Sequence, residues 1–248
     1  MSLFDLSGKR ALVTGAGSSI GLGRAMAQAL KEHGAEVAIL SRSDRVFSVA
    51  KEDGFIPIQA DLSNREHLKR GFNDAVEKLG TLDILVNNHG ITHVQEALSF
   101  PIDVWDKMLE TNLTSVFLLC QLAAPIMLAK AYGKIINLAS LATFVGLTNV
   151  PSYVVSKAGI GQLTKSLASE WSGRGVNVNA IAPGLIETEM TARLKNNPQR
   201  REYFFSRIPA GRFGKAEDLQ GAVVFLASHA SDYVHGAIIP VDGGFLAH

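Results

Sequence analysis

RALVTGAGSSIGLGRAMAQALKEHG, residues 10–34, is the stretch whose reading decides the fold. Arg10 to Thr14 is an apolar run of strand length, and Arg24 to His33 repeats its apolar residues with a helical period that stops before Gly34. Between them lies a turn with glycine at 15, 17, 21 and 23. A strand, a glycine-rich turn and a helix start form an anion site, because glycines let the backbone approach a pyrophosphate and free N–H groups point at it. The unit predicts the first strand and helix of a sheet that binds its ligand at the strand ends.

Working outward, further apolar runs predict strands at Glu36–Leu40, Phe55–Gln59, Leu82–Val86, Ile135–Leu138, Val176–Ile181 and Ala237–Val241. Helical patterns fall between them, over Arg65–Leu79, Ile102–Lys130, the segment around Tyr153 and Ala216–Ser228, with a short helix before Phe55. This alternation predicts an α/β fold: one Rossmann-type doubly wound parallel sheet over residues 1–248, about seven strands with helices on both faces. The formal charge is +1 with no run of one sign, so no nucleic acid or membrane partner is expected and a small molecule is. Cys120, the single cysteine, has apolar neighbours and reads as an inert core thiol. Residues 1–10 hold no apolar leader, and the apolar stretch 115–131 is interrupted by Gln121 and Pro125, so the expected location is cytoplasmic.

The chemistry concentrates in residues 137–157, where the strand ends in Asn137-Leu-Ala-Ser140 and a loop leads through Pro151 to a helix with Tyr153 and Lys157. Spacing of i and i+4 puts phenol and ammonium on one helical face, where the cation can stabilise a phenolate. A tyrosine with a pKa of about 10 is a poor base without such help. Ser140 adds a hydroxyl that can bond a substrate oxygen as charge develops there. Taken alone, Tyr-x-x-x-Lys reads as a half-buried tyrosine and a solvated lysine.

The surroundings supply context. From about Leu6 to the C-terminus the chain resembles the classical short-chain dehydrogenase/reductase family, in which a serine lies thirteen residues before the tyrosine, as Ser140 does before Tyr153. That resemblance implies catalytic roles for Asn112, Ser140, Tyr153 and Lys157, with Asn112 bending its helix and holding a water that relays protons to the lysine. It implies cofactor contacts from Gly15, Gly17, Ser18, Ser19, Ile20, Gly21 and Gly23. The family's turn is Thr-Gly-x-x-x-Gly-x-Gly, and five residues follow Gly15 here where three are usual; the extra pair is placed in the loop, which tolerates insertion better than a helix does. Asn87-Asn88-His89-Gly90 resembles the family's Asn-Asn-Ala-Gly, which implies cofactor contacts for Asn88 and Gly90. His89 stands in place of alanine and is expected to be held by structural hydrogen bonds. Pro183, Gly184, Ile186 and Thr188 match the family's Pro-Gly-x-x-x-Thr segment, with Ile186 offering its backbone to the carboxamide. Asp61 and Leu62 match the adenine contact, the lesser alternative being Asp61 as a simple turn residue near a helix cap.

After the second strand the chain has Ser41-Arg42-Ser43, a guanidinium and hydroxyls suited to a 2′-phosphate, and Arg24 adds positive charge near the turn. NADP(H) is therefore favoured as cofactor; with NAD(H), Arg42 would be solvated or stack on adenine. Residues from about 186 to 212 read as a lid, and His93, Gly146 and Arg193 are candidate substrate contacts. No metal is expected. The implied activity is hydride transfer between a secondary alcohol and its ketone. Finer similarities at residues 149–153, 207–212 and 232–247 point to members acting on sugar acids of the gluconate and deoxygluconate type. Two other readings are a 3-oxoacyl-carrier-protein reductase and a non-catalytic NADP(H)-binding sensor or scaffold. The resemblance also implies a homotetramer or homodimer.

Overall fold

The computed structural model describes residues 3–188, 202 and 204–247. Its strands are β1 (Arg10–Thr14), β2 (Glu36–Ser41), β3 (Ile56–Gln59), β4 (Ile84–Asn87), β5 (Gly133–Leu138), β6 (Val176–Pro183) and β7 (Ile238–Val241). They form one sheet in the order β3-β2-β1-β4-β5-β6-β7, every pair parallel. The central strands are buried on both faces, as a sheet covered by helices requires; β1 is mostly apolar, while β5 and β6 also bury Lys134, Asn137, Asn177 and Asn179.

Alternate residues serve opposite faces. On one, Leu12, Leu40, Leu85 and Ile135 pack under α3 (Arg65–Leu79), α5 (Ser115–Ala129) and α6 (Pro151–Trp171). On the other, Val13, Ile39, Val86 and Ile136 meet α1 (Leu22–Glu32), α2 (Arg45–Asp53) and α7 (Gln220–Ala227). Chain direction along the sheet reverses at β1, which lies between β2 and β4. At such a reversal the connections diverge to opposite faces and leave a crevice beyond the strand ends.

α1 runs unbroken from Leu22 with Gly21 as its N-cap, so the two extra residues lie in the turn, as read. The helix expected over Ile102–Lys130, bent at Asn112, is α4 (Ile102–Leu109), a π turn (Glu110–Thr114) that holds Asn112, and α5, whose Leu119, Cys120, Ala123 and Met127 enter the core. The span Ile102–Ala129 is long and apolar enough to cross a membrane, with 44% of its most apolar window buried within the protein. Arg24 corrects an expectation. Its guanidinium is paired with Asp53 (2.7 and 2.9 Å) and Glu52 (2.8 Å) of α2, so its charge is neutralised there and does not serve the turn.

Candidate active site

Beyond the ends of β1, β4, β5 and β6 lies a cavity of about 120 Å³. It brings together Leu22 at the head of α1, Asn88 and Gly90 after β4, Ser140 after β5, and Tyr153 and Lys157 on α6. Pro183, Gly184, Ile186 and Thr188 close it from the β6 side. The catalytic candidates Ser140, Tyr153 and Lys157 therefore share one space with cofactor candidates from the ends of β4 and β6.

The local fold fixes each of them. Ser140 caps a short turn, its Oγ accepting from Ala142 N (3.2 Å), while Thr143 Oγ1 accepts from Ser140 N (3.3 Å) and donates to the Lys157 carbonyl (2.9 Å). Thr143 was not singled out from sequence, yet Ser140-x-x-Thr143 has the spacing of a capping box and was readable as one. Lys157 is buried, and its Nζ donates to Leu138 O at 2.6 Å and lies 5.9 Å from the Tyr153 ring centre. Burial lowers its pKa to about 8. Burial also raises the Tyr153 pKa, opposed by a hydrogen bond with Ser140. In the protein alone burial sets the direction of the shift and Lys157 is not among its causes, so Tyr153 is held in its protonated form.

Asn112 sits fully buried in the π turn. Its Oδ1 accepts from Ile91 N (2.8 Å), and Nδ2 donates to Ile91 O (2.9 Å) and Ser156 Oγ (3.2 Å). Both amide protons are engaged, so only the second lone pair of Oδ1 is left for a water. A Cβ at Gly90 would lie 3.4 Å from this Oδ1 and 3.8 Å from Lys157 Nζ, which puts the cavity wall directly on both groups.

The glycine turn is built for close approach. Gly15 has φ +69°, and a Cβ there would stand 2.7 Å from His89 Cα; at Gly23 it would stand 2.7 Å from Gly15 O and 2.5 Å from Asn88 Nδ2. Asn88 Nδ2 in turn donates to Thr14 O (3.0 Å) and Gly15 O (3.1 Å). A Cβ at Gly17 would meet Ser41 Oγ at 2.5 Å, which brings the turn against the end of β2. At Gly21 a Cβ would meet only Ser18, at 3.2 Å; Ser19 and Ile20 face solvent. This bare backbone, opening on the helix start and leading into the cavity, fits a dinucleotide with its pyrophosphate at the turn.

At the β2 end Arg42 is exposed, and its guanidinium makes no ion pair among the described residues. Asp61 Oδ1 accepts from Ser63 N (3.0 Å) and Ser63 Oγ (2.8 Å), the geometry of a turn residue. Burial works against its charge, but those bonds and the nearby Arg42 hold its pKa below the usual value. Leu62 is a core residue. Ile186 forms an isolated parallel bridge with Gly214.

The substrate candidates are not gathered in the cavity. His93 bonds Gln95 Oε1 (3.0 Å) and meets Phe100 edge-on, and Gly146 is exposed; neither lines the space around Tyr153. Arg193 and most of the candidate lid lie outside the described residues.

A family model described as enoyl-(acyl carrier protein) reductase matches residues 15–246. The chain is 45% identical to the 2-dehydro-3-deoxy-D-gluconate 5-dehydrogenase of Bacillus subtilis, over 98% of this chain and 97% of the relative. Identity to the Escherichia coli protein of the same name is 42%, over 100% and 99%. The fold superposes with a TM-score of 0.93 on the crystal structure of a gluconate 5-dehydrogenase from Burkholderia cenocepacia in complex with NADP and tartrate, 34% identical over 99% of this chain and 98% of that one.

Proposed function

The chain belongs to the short-chain dehydrogenase/reductase family, and from that premise we propose that it interconverts a secondary hydroxyl and a ketone on a sugar acid of the gluconate or deoxygluconate type, using NADP(H). The observation that carries the reading is the meeting of Ser140, Tyr153 and Lys157 in a cavity that Leu22, between Gly21 and Gly23 of the glycine turn, also lines. The nicotinamide, when bound, supplies or accepts the hydride. Ser140 holds the substrate oxygen and so fixes the reacting carbon. In reduction Tyr153 gives its phenolic proton to that oxygen; its raised pKa keeps the proton in place until then but does not help its release. Lys157, held by Leu138 O, stabilises the phenolate left behind, and Asn112 supports reprotonation through a water. In oxidation the same groups run in reverse, with the positive charge of oxidised cofactor and Lys157 together lowering the phenol pKa.

An exposed Arg42 beside Ser41 supports NADP(H), as does the NADP in the related gluconate 5-dehydrogenase structure. The names of the relatives support the sugar acid, and tartrate in the same structure is itself a hydroxy acid. The carrier-protein reductase reading needs free cations for an acidic carrier. Lys130 is tied to Thr81 (3.1 Å) and Asp83, and Lys134 is buried on Asp232 (2.7 Å), so neither of these two serves. Exposed apolar side chains on α4, α5 and α6, Ile102, Phe117 and Val155, support a homotetramer. The inert Cys120, whose pKa burial raises to about 12, suits a cytoplasmic protein.

The test follows reduced-cofactor absorbance with NADP(H) and NAD(H) over sugar acids, their keto forms and acetoacetyl thioesters. Turnover of a sugar acid preferring NADP(H) is expected. Turnover of the thioester alone would move the chain to acyl reduction, and cofactor binding with no turnover would make it a sensor.

A further inference from the structure

His89 stands where the family motif has alanine, and it is 9% exposed at the end of β4. Its Nδ1 is 2.8 Å from Thr14 Oγ1, and its Nε2 is 2.6 Å from Ser115 Oγ. Ser115 Oγ donates its one proton to Thr111 O at 2.6 Å, so its oxygen is left to accept. Nε2 therefore carries the imidazole proton, and Nδ1 accepts from Thr14, whose alternative acceptor, Val86 O, is farther at 3.2 Å. Burial and the charge of Lys157 hold the ring neutral, with a pKa lowered to about 3.

These bonds close a ring. Thr111 precedes Asn112 in the π turn, and Asn112 clasps Ile91 through two bonds, two residues beyond His89. The segment 89–91 is thus attached to the π turn from both sides, by the imidazole through Ser115 and by its backbone through Asn112. Gly90 lies between the two attachments and forms the cavity wall against Lys157. On the other side Thr14 Oγ1 accepts from Asn88 N (3.0 Å), and Thr14 O accepts from Asn88 Nδ2, which carries the link to the glycine turn.

We propose that His89 is a positioning residue for the reaction proposed above: its imidazole fastens the π turn that carries Asn112 to the end of β1, and so sets the wall beside Lys157. The inference rests on that reading of the reaction but not on the identity of the substrate. An alanine cannot make either bond, so in this chain the imidazole and the hydroxyls of Thr14 and Ser115 act as one unit.

Two side chains separate the bonds: asparagine places an amide atom near the position of Nδ1, and glutamine places its amide nitrogen near Nε2. His89→Gln can keep the bond to Ser115, and His89→Asn only the bond to Thr14. His89→Ala is expected to lower kcat about tenfold while KM for cofactor and substrate changes less than about threefold. His89→Gln should recover most of that loss and His89→Asn little of it. Ser115→Ala should lower kcat comparably and add little to His89→Ala. Unchanged kcat in His89→Ala, equal loss in the Gln and Asn variants, or additive losses would each overturn the proposal. Imidazole ¹⁵N NMR of the wild-type protein needs no substrate. It should show His89 as the neutral Nε2–H form from pH 5 to 8, and an Nδ1–H form or a protonation in that range would overturn the proposal as well. Should the wild type turn over only the thioester, the sugar-acid reading fails and the variants are compared on that substrate; should it turn over nothing, the NMR result decides.

Discussion

Among the described residues Lys157 has no carboxylate partner, and its ammonium is held only by a backbone carbonyl in a buried setting. The unfolded side chain titrates near 10.5 and the folded one at about 8, so between those values the folded state binds fewer protons and stability rises with pH. Below pH 8 the full cost of the buried charge is present, on the order of 3 kcal/mol. Replacing Lys157 by Met is expected to stabilise the cofactor-free protein at pH 7 by up to about 3 kcal/mol while abolishing turnover, a trade of stability against activity. Denaturant melts at pH 7 and pH 10 check this: the gap between variant and wild type should shrink at the higher pH, and no gap at pH 7 would contradict it. Arg42 is a second single-residue case. Arg42→Ala should raise KM for NADP(H) about tenfold or more and leave KM for NAD(H) within about twofold, since only a 2′-phosphate uses the guanidinium. Equal effects on the two cofactors would contradict that role.

At the scale of elements, the glycine turn and the π turn shape the cavity. A methyl at Gly23 would press on Gly15 O and Asn88 Nδ2, and the first of these is backbone with little room to give. Gly23→Ala should therefore weaken NADP(H) binding at least about tenfold in a fluorescence titration, whereas unchanged affinity would show that the turn is not the anion site. The turn and the strand–helix alternation were legible in sequence because they are local. Arg65–Leu79 begins and ends as read, since Asn64 caps it with two bonds and Gly80 takes the left-handed conformation that stops it. A bend at Asn112 was implied by the resemblance, but its form as a π turn was not legible. Glu110 to Thr114 keeps a helical apolar period, and the bonds that reward the irregular turn come from Ile91, on another strand's exit. Arg24 was misread for the same reason, its partners lying 28 and 29 residues away.

At the scale of the whole molecule, a parallel sheet with one reversal point gathers residues from across the chain into one crevice. Ser140, Tyr153 and Lys157 were legible because their spacing is fixed by one strand end and one helix. His93 and Gly146 do not line that cavity; the loops after β4 and β5 that carry them are joined by Gln95 N donating to Asn149 O (2.8 Å). Phe117 is 40% exposed on α5, so a charge there spares the fold of one chain but not an apolar contact between chains. Light scattering should give four chains for the wild type and fewer for Phe117→Asp; a monomeric wild type would contradict the assembly. The most direct test of the central claim compares wild type and Tyr153→Phe in single-turnover hydride transfer from bound NADPH to the keto sugar acid, with cofactor affinity measured alongside. The expected result is a loss of at least about a thousandfold in the transfer rate with affinity within about threefold. Transfer at the wild-type rate without the phenol would contradict it.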